Sequence, residues 1–554
     1  MGLLAKFRDL VSGATPATSP VGLPASRPSS QYMRGGRGVT FNGWRPALRD
    51  AQDDIDEAWD AAAARIYDVL HNNGWMAGAV DQAVANTVGN GLRLKVQPEN
   101  SAFGMSDADA RAWARVVEAR FELWARNPQE CDIEGKRSFG QMQAAGFRSW
   151  LATGEIFAEL PWRRRSWNRY GTKVRLISPH RLSRKNDTLK RMANGVMHDA
   201  DGMPIGYLIT RKDPLLGETD FEVRARDAYG RPRVVHVFDG LPGTSRGISP
   251  MTPALQVARQ FDQLADATLM AAIVQTLFAA TVTSDEPTEQ VMAGLLTPQE
   301  QAKMAAMGIS PMEAYLEMLG GFYDNATLNV GINGRIAHLF PGQKLDFHST
   351  QHPSSDYKDF SMHLLREMAR CLGLTYSSAT GDYHGETYSS VRMAGGEIFA
   401  ITKLRRQNVL APFCQPAYEA WLEEEIETGG IEFPGGLSAF LANRTAACRA
   451  DWRGSPKPQA DDQKMAKAHE TWQRLGVMSD AMICNDLGVD VEDVYAQRAS
   501  EMELRRTYGL PEPAIMPATG GAASPATAAD PEDDPEDDPE DDDAEQTAAA
   551  AMGA

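Results

Sequence analysis

The stretch TPALQVARQFDQLADATLMAAIVQT, residues 252–276, predicts a long helix near the middle of the chain. Thr252 can cap this helix, and Pro253 suits its first turn. Apolar residues then recur at steps of three and four, which places them on one helix face. We expect the helix to run to about Thr283. Its second half is apolar nearly all round, so either a large core or neighbouring subunits must cover it.

A second long helix is predicted from Ser355 to Leu372, with Gly373 as its stop. Between the two helices, residues 285–347 form a small insert. Within it, Gly331-Ile332-Asn333-Gly334 separates two apolar runs, and Asn-Gly in that position is a strong signal for a β-hairpin. Two helices that flank a short insert indicate an antiparallel pair with the insert at its tip.

The flanking regions alternate between helical and strand-like periodicity. Helices are predicted over 53–88, 107–124, 139–151, 389–428 and 461–508. Short antiparallel strands are predicted over 155–162, 173–177, 204–209 and 233–238. Pro412 and Pro416 should kink the segment 389–428, and a polar loop is expected over 375–387. The pattern indicates the α+β class, with a β-rich layer inside a mainly helical protein.

The charge of the chain is unevenly distributed. The 554 residues carry a formal net charge of −18, and 13 acidic residues beyond Arg506 are balanced by no Lys or Arg. Removing those charges from −18 leaves −5 for the first 506 residues. Asp-Pro-Glu-Asp occurs three times within 530–541, so we expect a disordered acidic tail over 511–554. Acidity of this kind argues against tight, sequence-independent binding of nucleic acid.

Targeting features also bear on the class of protein. The five cysteines are widely spaced without a CxxC pair, which is typical of reduced thiols in a cytoplasm. Charged residues come too early for a secretory signal, and Lys6 stands where a myristoylation signal needs Ser or Thr. The apolar run 268–282 is shorter than the roughly 20 residues of a membrane span. We therefore expect neither export, nor a lipid anchor, nor a membrane span.

Two motifs could suggest catalysis. Gly243-Thr244-Ser245-Arg246-Gly247 matches the nucleophile elbow of serine hydrolases, but no helix follows it at once and no alternating βαβ pattern surrounds it. A metal cluster could be read from Asp346, His348, His352 and Asp356, yet Pro353 breaks any helix that would align the histidines. A glycine-rich turn and the polar start of a helix explain these residues better. We predict no catalytic residue, no cofactor and no metal, and keep an esterase-like hydrolase using Ser245 as an alternative.

A basic and aromatic strip, WRRRSWNRY, occupies residues 162–170. Nucleic-acid surfaces combine cations with aromatic rings in this way. The strip also lies between two predicted strands, where a solvated hairpin tip would have the same composition. A nucleic-acid-binding factor that uses Arg163 to Tyr170 is therefore a second alternative.

Segments spread over about residues 45–510 resemble the lambda-type family of tailed-bacteriophage portal proteins, also called head–tail connectors. They include Thr153-Gly154-Glu155, Ile177-Ser178-Pro179-His180-Arg181-Leu182, Arg246-Gly247-Ile248-Ser249-Pro250, Phe340-Pro341-Gly342-Gln343 and Thr387-Tyr388-Ser389-Ser390-Val391-Arg392. The segments follow the family order, although each one alone is weak. The sequence departs from the family near 459–462, and the acidic tail is outside the match.

The resemblance implies the portal fold, which is α+β, with a mainly helical wing, stem and crown, a β-rich wing layer and a small α/β clip. It assigns the chain in order: 1–44 flexible N-terminal arm; 45–250 first part of the wing; 251–284 stem helix 1; 285–350 clip; 351–373 stem helix 2; 374–388 tunnel loop; 389–458 wing return with a kinked long helix; and 459–510 crown. The acidic tail, 511–554, completes the chain.

For function, the resemblance implies a dodecameric ring at one capsid vertex, a passive and non-enzymatic channel for packaging and ejection of double-stranded DNA. The implied partners are other copies of the chain, the large terminase subunit, a head–tail adaptor, the major capsid protein and the scaffold, with no membrane. The implied location is the virion, and the host cytoplasm during assembly. Tyr383, His384 and Glu386 are expected to line the narrowest part and touch DNA weakly, since strong phosphate contacts would hold DNA in place.

Overall fold

The computed structural model describes residues 47–213, 217–277, 355–457 and 462–511. It also describes four short strands between 281 and 346, and the isolated residues 297, 299 and 306. The predicted N-terminal arm, most of the predicted clip and nearly all of the acidic tail lie outside the described residues.

The chain forms two compact units. The first contains the described residues up to Ser479 together with Asp486–Gly488, and the second contains Asp480–Asn485 and the described residues from Val489 onward. A search of the described helices for a stretch long and apolar enough to cross a membrane finds none.

Helices dominate both units. In chain order they are α1 Ala51–Asn72, α2 Gly74–Thr87, α3 Asp107–Arg126, α4 Pro128–Cys131, α5 Phe139–Thr153, α6 Leu255–Leu277, α7 Ser355–Cys371, α8 Tyr376–Thr380, α9 Tyr388–Arg405, α10 Ala411–Glu427, α11 Gly436–Ala442, α12 Arg444–Ala447, α13 Asp462–Arg474, α14 Asp480–Asp486 and α15 Val491–Thr507. The segment Arg406–Leu410, between α9 and α10, is a π-helical turn.

The strands are short and pair antiparallel. They are β1 Arg93–Val96, β2 Glu155–Glu159, β3 Arg175–Ile177, β4 Met192–Ala193, β5 Val196–His198, β6 Pro204–Asp213, β7 Gly217–Arg224, β8 Val234–Phe238, β9 Thr281–Thr283, β10 Thr327–Val330, β11 Gly334–Ala337, β12 Lys344–Asp346 and β13 Ala450–Arg453. The predicted β-rich layer is two sheets, with strand orders β3-β2-β8 and β4-β5-β6-β7. The α+β class expected from the sequence is confirmed.

The helix predicted over 53–88 is two helices, because Asn73 interrupts it in an extended conformation. Its side-chain oxygen accepts a hydrogen bond from the Met76 amide at 3.0 Å and so caps α2. The side-chain nitrogen of Asn73, Nδ2, donates to the Asp262 carboxylate on α6 at 2.7 Å. The break therefore links the start of α2 to the long helix α6.

One large core joins segments that lie far apart in the chain. Phe121 of α3 packs edge-on against Trp421 of α10, with ring centroids 5.2 Å apart, and Trp124 packs against Phe139 of α5 at 5.5 Å. All four side chains are buried. The β1–β13 pair, with Arg93 opposite Arg453, makes a second connection between the same two regions. Residues before 250 and after 389 thus share one hydrophobic core.

The two long helices α6 and α7 pack against each other, but α6 ends earlier than predicted. Its last residue is Leu277, and Thr281–Thr283 form β9 instead of the end of a helix. The prediction that the helix runs to Thr283 is wrong, because this β-branched Thr-Val-Thr run pairs with β12. The 3₁₀ turn Thr252–Ala254 also precedes α6, so Thr252 is not its cap.

The hairpin predicted within the insert is confirmed. β10 and β11 pair antiparallel, with Val330 opposite Gly334, around the segment that holds Asn333. β9 follows α6 and β12 precedes α7, and their antiparallel pairing brings the two ends of the insert together.

Candidate functional site

The polar segment between α7 and α9 contains a helical turn that the sequence did not predict. α8 is capped by Thr375, whose side chain accepts a hydrogen bond from the Ser378 amide at 3.3 Å. It ends at Gly381, where φ is +74°, a conformation that favours glycine. The loop proper is therefore the short polar segment after Gly381.

Asp382 sets the shape of this loop. Its carboxylate accepts hydrogen bonds from the His384 amide at 3.1 Å and from the Tyr376 hydroxyl at 3.4 Å. The Glu386 amide donates to the Tyr383 carbonyl oxygen at 3.2 Å, which closes a tight turn. Tyr383, His384 and Glu386 are all exposed, so this turn holds the three side chains outward.

The loop ends at a reciprocal cap. The Thr387 hydroxyl accepts from the Ser390 amide at 3.3 Å, and the Thr387 amide donates to the Ser390 hydroxyl at 3.1 Å. This capping box starts α9 at Tyr388. The segment Thr387-Tyr388-Ser389-Ser390 therefore defines where the exposed loop stops.

A cavity of about 290 Å³ lies beside the loop, between α2, α8 and α9. Tyr383 forms part of its wall and is 51% exposed. Ile398, Phe399 and Thr402 of α9 also line it. The ring of Tyr383 thus reaches both solvent and a partly apolar cavity.

Two adjacent arginines tie the far end of α9 to the ends of two other helices. Arg405 donates to the Leu372 carbonyl oxygen, just after α7, at 2.5 Å. Arg406 donates to the carbonyl oxygens of Asn86 at 2.9 Å and Thr87 at 2.7 Å, at the end of α2. A cation suits a helix C-terminus because its last carbonyl groups lack intrahelical partners.

Burial lowers the pKa of both guanidinium groups, and that of Arg405 falls to about 10. The sequence analysis assigned no role to either residue. Two adjacent arginines near Pro412 carry no distinctive signal, because their carbonyl partners lie far away in the chain.

In the described structure, Gln52 is the hydrogen-bond partner of Ser245 in the turn that resembles a nucleophile elbow. Ser245 is buried, and its hydroxyl donates to the side-chain oxygen of Gln52 at 3.1 Å. The Ser245 amide donates to the same oxygen at 2.6 Å. An uncharged amide cannot act as the general base that a serine nucleophile requires. The hydrogen bonds of Ser245 therefore serve to fix the turn.

Arg246, the next residue, forms a fully buried ion pair with Glu155. Its Nε and Nη2 atoms donate to the two Glu155 oxygens at 2.7 and 2.8 Å. The Gly247 amide also donates to Glu155 at 2.8 Å, and Arg246 donates to the Pro179 carbonyl oxygen at 3.2 Å. Three of the segments that carry the family resemblance, around residues 155, 179 and 246, thus meet at one place.

The environment keeps Glu155 ionised. Burial by itself would raise its pKa, but the neighbouring His236 and Arg246 lower the pKa to about 2. The ring of Trp59 covers the Arg246 guanidinium, with 4.9 Å between the guanidinium carbon and the ring centroid. The pair is therefore a structural connection between β2 and the segment before α6.

The basic and aromatic strip forms the tip of the β2–β3 hairpin. Arg165 donates to the Ile133 carbonyl oxygen at 2.6 Å, and Arg169 pairs with Glu425 at 3.4 Å. Arg163 and Arg164 point to solvent together with Trp162, which is 58% exposed, and Trp167, which is 70% exposed. Arg165 and Arg169 of the strip thus bind other parts of the protein, whereas Arg163 and Arg164 are exposed to solvent.

Two of the four candidate metal residues, Asp346 and Asp356, lie within described elements. Asp346 lies in β12 and Asp356 in α7, while His348 and His352 lie outside the described residues. Within the described residues, no group of three or more His, Cys, Asp or Glu side chains could hold a metal ion.

Comparisons with known proteins agree on one family. A family model described as phage portal protein, lambda family, matches residues 37–406. The portal protein of Escherichia phage N15 is 28% identical, and the match covers 87% of this chain and 91% of that protein. Portal protein B of Escherichia phage lambda is also 28% identical, with coverage of 89% and 93%. A solved structure of the neck of an empty GTA particle matches with 15% identity and a TM-score of 0.40, covering 80% of this chain and 95% of that one.

Proposed function

Because the chain belongs to the lambda family of phage portal proteins, we propose that twelve copies of it form a ring at one capsid vertex. Double-stranded DNA would pass through the centre of this ring during packaging and ejection. The family match over most of the chain is the observation that carries this proposal.

The exposed surface of α6 supports assembly into a ring. Leu269, Met270 and Ile273 are 60%, 59% and 42% exposed in the single chain. Neighbouring apolar residues with this exposure mark a surface that another protein covers. A head-to-tail contact that is repeated by rotation closes into a ring, so the α6 helices of adjacent copies would cover each other.

Membership of the portal family is also the basis for assigning the parts of the portal to segments of the chain. The helices α6 and α7, within 251–284 and 351–373, would form the stem, and the insert 285–350 the clip. Residues 45–250 and 389–458 would form the wing, and they share a core to which the first part of α6 and the second part of α7 also contribute. Residues 459–510 would form the crown, and 374–388 the tunnel loop.

The channel would be passive towards DNA. Tyr383, His384 and Glu386 supply one carboxylate and no permanently charged cation, so their contacts with phosphate groups would be weak. This would let DNA slide in both directions. The hydrogen bonding of Ser245 supports a structural role without catalysis.

The proposed partners follow from this place in the particle. The ring would bind the large terminase subunit during packaging and a head–tail adaptor afterwards. The major capsid protein and the scaffold would surround it during assembly in the host cytoplasm, and it would remain in the virion.

Electron microscopy of the purified full-length chain tests the ring. We expect rings with a central hole, and a stable monomer would contradict the proposal. Replacing Leu269 and Met270 by Asp should prevent ring formation. Leu189→Asp is a matched control, because Leu189 is 98% exposed on the β-rich part of the chain and should leave the ring intact.

A further inference from the structure

The hairpin tip around Trp162 and Trp167 carries an exposed surface that the portal assignment does not explain. Arg163 and Arg164 lie between the two exposed tryptophans, and within the described residues neither guanidinium group forms an ion pair. Exposed tryptophan rings beside unpaired cations are typical of binding surfaces. We refer to residues 162–167 as the Trp–Arg tip.

Two glutamates fix the backbone that follows the Trp–Arg tip, at residues 169–172. Glu424 of α10, itself only 3% exposed, accepts hydrogen bonds from the amides of Gly171 at 2.6 Å and Thr172 at 2.7 Å. Glu130 accepts from the amides of Arg169 at 3.0 Å and Tyr170 at 3.1 Å. A carboxylate that accepts several backbone hydrogen bonds fixes the conformation of a loop.

The orientation of Trp162 is fixed as well. Its indole lies so close to Gly171 that a Cβ atom on residue 171 would be 2.5 Å from the indole Cε2 atom. One part of the ring therefore rests on the backbone, and the remainder faces solvent. A preorganised surface of this kind loses little conformational entropy when it binds a partner.

The chain itself contains a segment of matching chemistry. Residues 530–541 consist of three Asp-Pro-Glu-Asp repeats, with nine carboxylates and no cation. Proline-containing extended segments bind exposed aromatic rings, and carboxylates pair with guanidinium groups. The repeats begin 19 residues after Pro511, where the described structure ends. An extended segment of that length spans about 60 Å.

We propose that the Trp–Arg tip is a docking surface for the Asp-Pro-Glu-Asp repeats of a neighbouring copy of this chain. Trp162 and Trp167 would contact the proline rings, and Arg163 and Arg164 would pair with the carboxylates. This gives a specific role to two features, the strip and the acidic tail, that the portal function leaves unused.

Hydroxyl-radical footprinting of the full-length chain tests the proposal. Replacing the nine carboxylates of 530–541 by amides should raise the labelling of Trp162 and Trp167 about threefold at low salt, as expected for the loss of a few exposed ion pairs. In about 1 M salt, where the Debye length is ~3 Å, the unmodified chain should reach the same labelling. Trp75, 46% exposed elsewhere, is an internal control that should not change.

Two further variants define the contact. Replacing Asp542, Asp543 and Glu545 by amides changes the tail charge but keeps the repeats, and should leave Trp162 protected. Replacing Arg163 and Arg164 by Gln should expose both tryptophans even when the repeats are intact. Equal labelling of the unmodified and repeat-neutralised chains would overturn the proposal. So would protection that appears only when duplex DNA is added, because the surface would then belong to nucleic acid.

Discussion

Arg246 and Glu155 lie 91 residues apart in the chain, and their side chains meet in a bidentate ion pair that is fully buried. This pair connects the central strand β2 to the segment that leads into α6. In the portal assignment it lies where the wing passes into the stem. The turn that resembles a nucleophile elbow thus contributes to the fold through Arg246, which pairs with Glu155.

Replacing Arg246 by Met should strongly destabilise the chain. It would leave Glu155 as a buried charge without its partner, which typically costs about 3–5 kcal/mol. Denaturant unfolding monitored by tryptophan fluorescence measures this loss. Arg148→Ala is the matched control, because its pair with Asp81 at 2.5 Å is exposed and such pairs contribute at most about 1 kcal/mol. Equal losses in both variants would contradict a special role for the buried pair.

Acid should weaken the protein through Glu155. Its pKa in the folded chain is about 2, below the ordinary value of 4.5, so its stabilising contribution is complete above pH 4.5. That contribution is lost as the pH falls from 4.5 through 2. The shift corresponds to a contribution on the order of 3 kcal/mol. Unfolding midpoints measured from pH 7 to 3 should therefore fall more steeply for the unmodified chain than for Glu155→Gln. Parallel profiles would show that another group controls the acid response.

The hydrogen bonds of Arg406 should stabilise the end of α2. Arg406→Ala removes the donors for the Asn86 and Thr87 carbonyl oxygens, and buried groups left without a partner cost about 1–3 kcal/mol each. Amide hydrogen exchange should become faster near residue 87. Arg406→Lys should recover only part of this loss, because lysine lacks the planar fork of donors. Arg392→Ala, an exposed change on α9, should have little effect.

A new cation in the proposed tunnel loop should slow the passage of DNA. Glu386→Lys replaces a carboxylate by a group that pairs with phosphate, so packaging should become slower, most of all at low salt. Glu432→Lys changes the charge equally at an exposed position outside the loop and should leave the packaging rate unchanged. Normal packaging by both variants would argue that Glu386 does not face DNA.

Removing the three loop side chains should affect retention of packaged DNA. Gly at Tyr383, His384 and Glu386 abolishes their weak contacts while leaving Asp382 to hold the turn. We expect capsids that package DNA but lose more of it, measured as nuclease-sensitive DNA after filling. Unchanged packaging and retention would show that these residues do not line the channel.

The positions of most helices could be predicted from the sequence, because helix periodicity and caps depend on neighbouring residues. Where a predicted helix differs from the observed one, the cause is either a neighbouring residue or a partner that is distant in the chain. Asn73 divides a helix through a cap that its side chain forms locally, whereas Thr281–Thr283 leave the helical pattern because β12 pairs with them. The π turn Arg406–Leu410 lies where Arg406 is bound to the end of α2.

Burial of charge was the least predictable feature. Glu423, Glu424 and Glu425 are consecutive and would be read as a solvated helix surface, yet all three are buried. Glu424 receives amide hydrogen bonds from residues some 250 positions earlier, and Glu423 pairs with Arg444 at 2.6 Å. Nothing in the local pattern indicates partners at that distance.

The sequence by itself determined the family, the α+β class, the pair of long helices with a hairpin between them, and a polar loop over 375–387, the first part of which is the helical turn α8 in the structure. These depend on short-range periodicity, on turn residues and on segments that occur in the same order as in the family. Only the tertiary structure decided which charges are buried together. It joined Glu155 to Arg246, bound Arg165 to the Ile133 carbonyl oxygen and Arg169 to Glu425, and left Arg163 and Arg164 exposed. The physical reason is that a charge can be buried only where the fold supplies its partner.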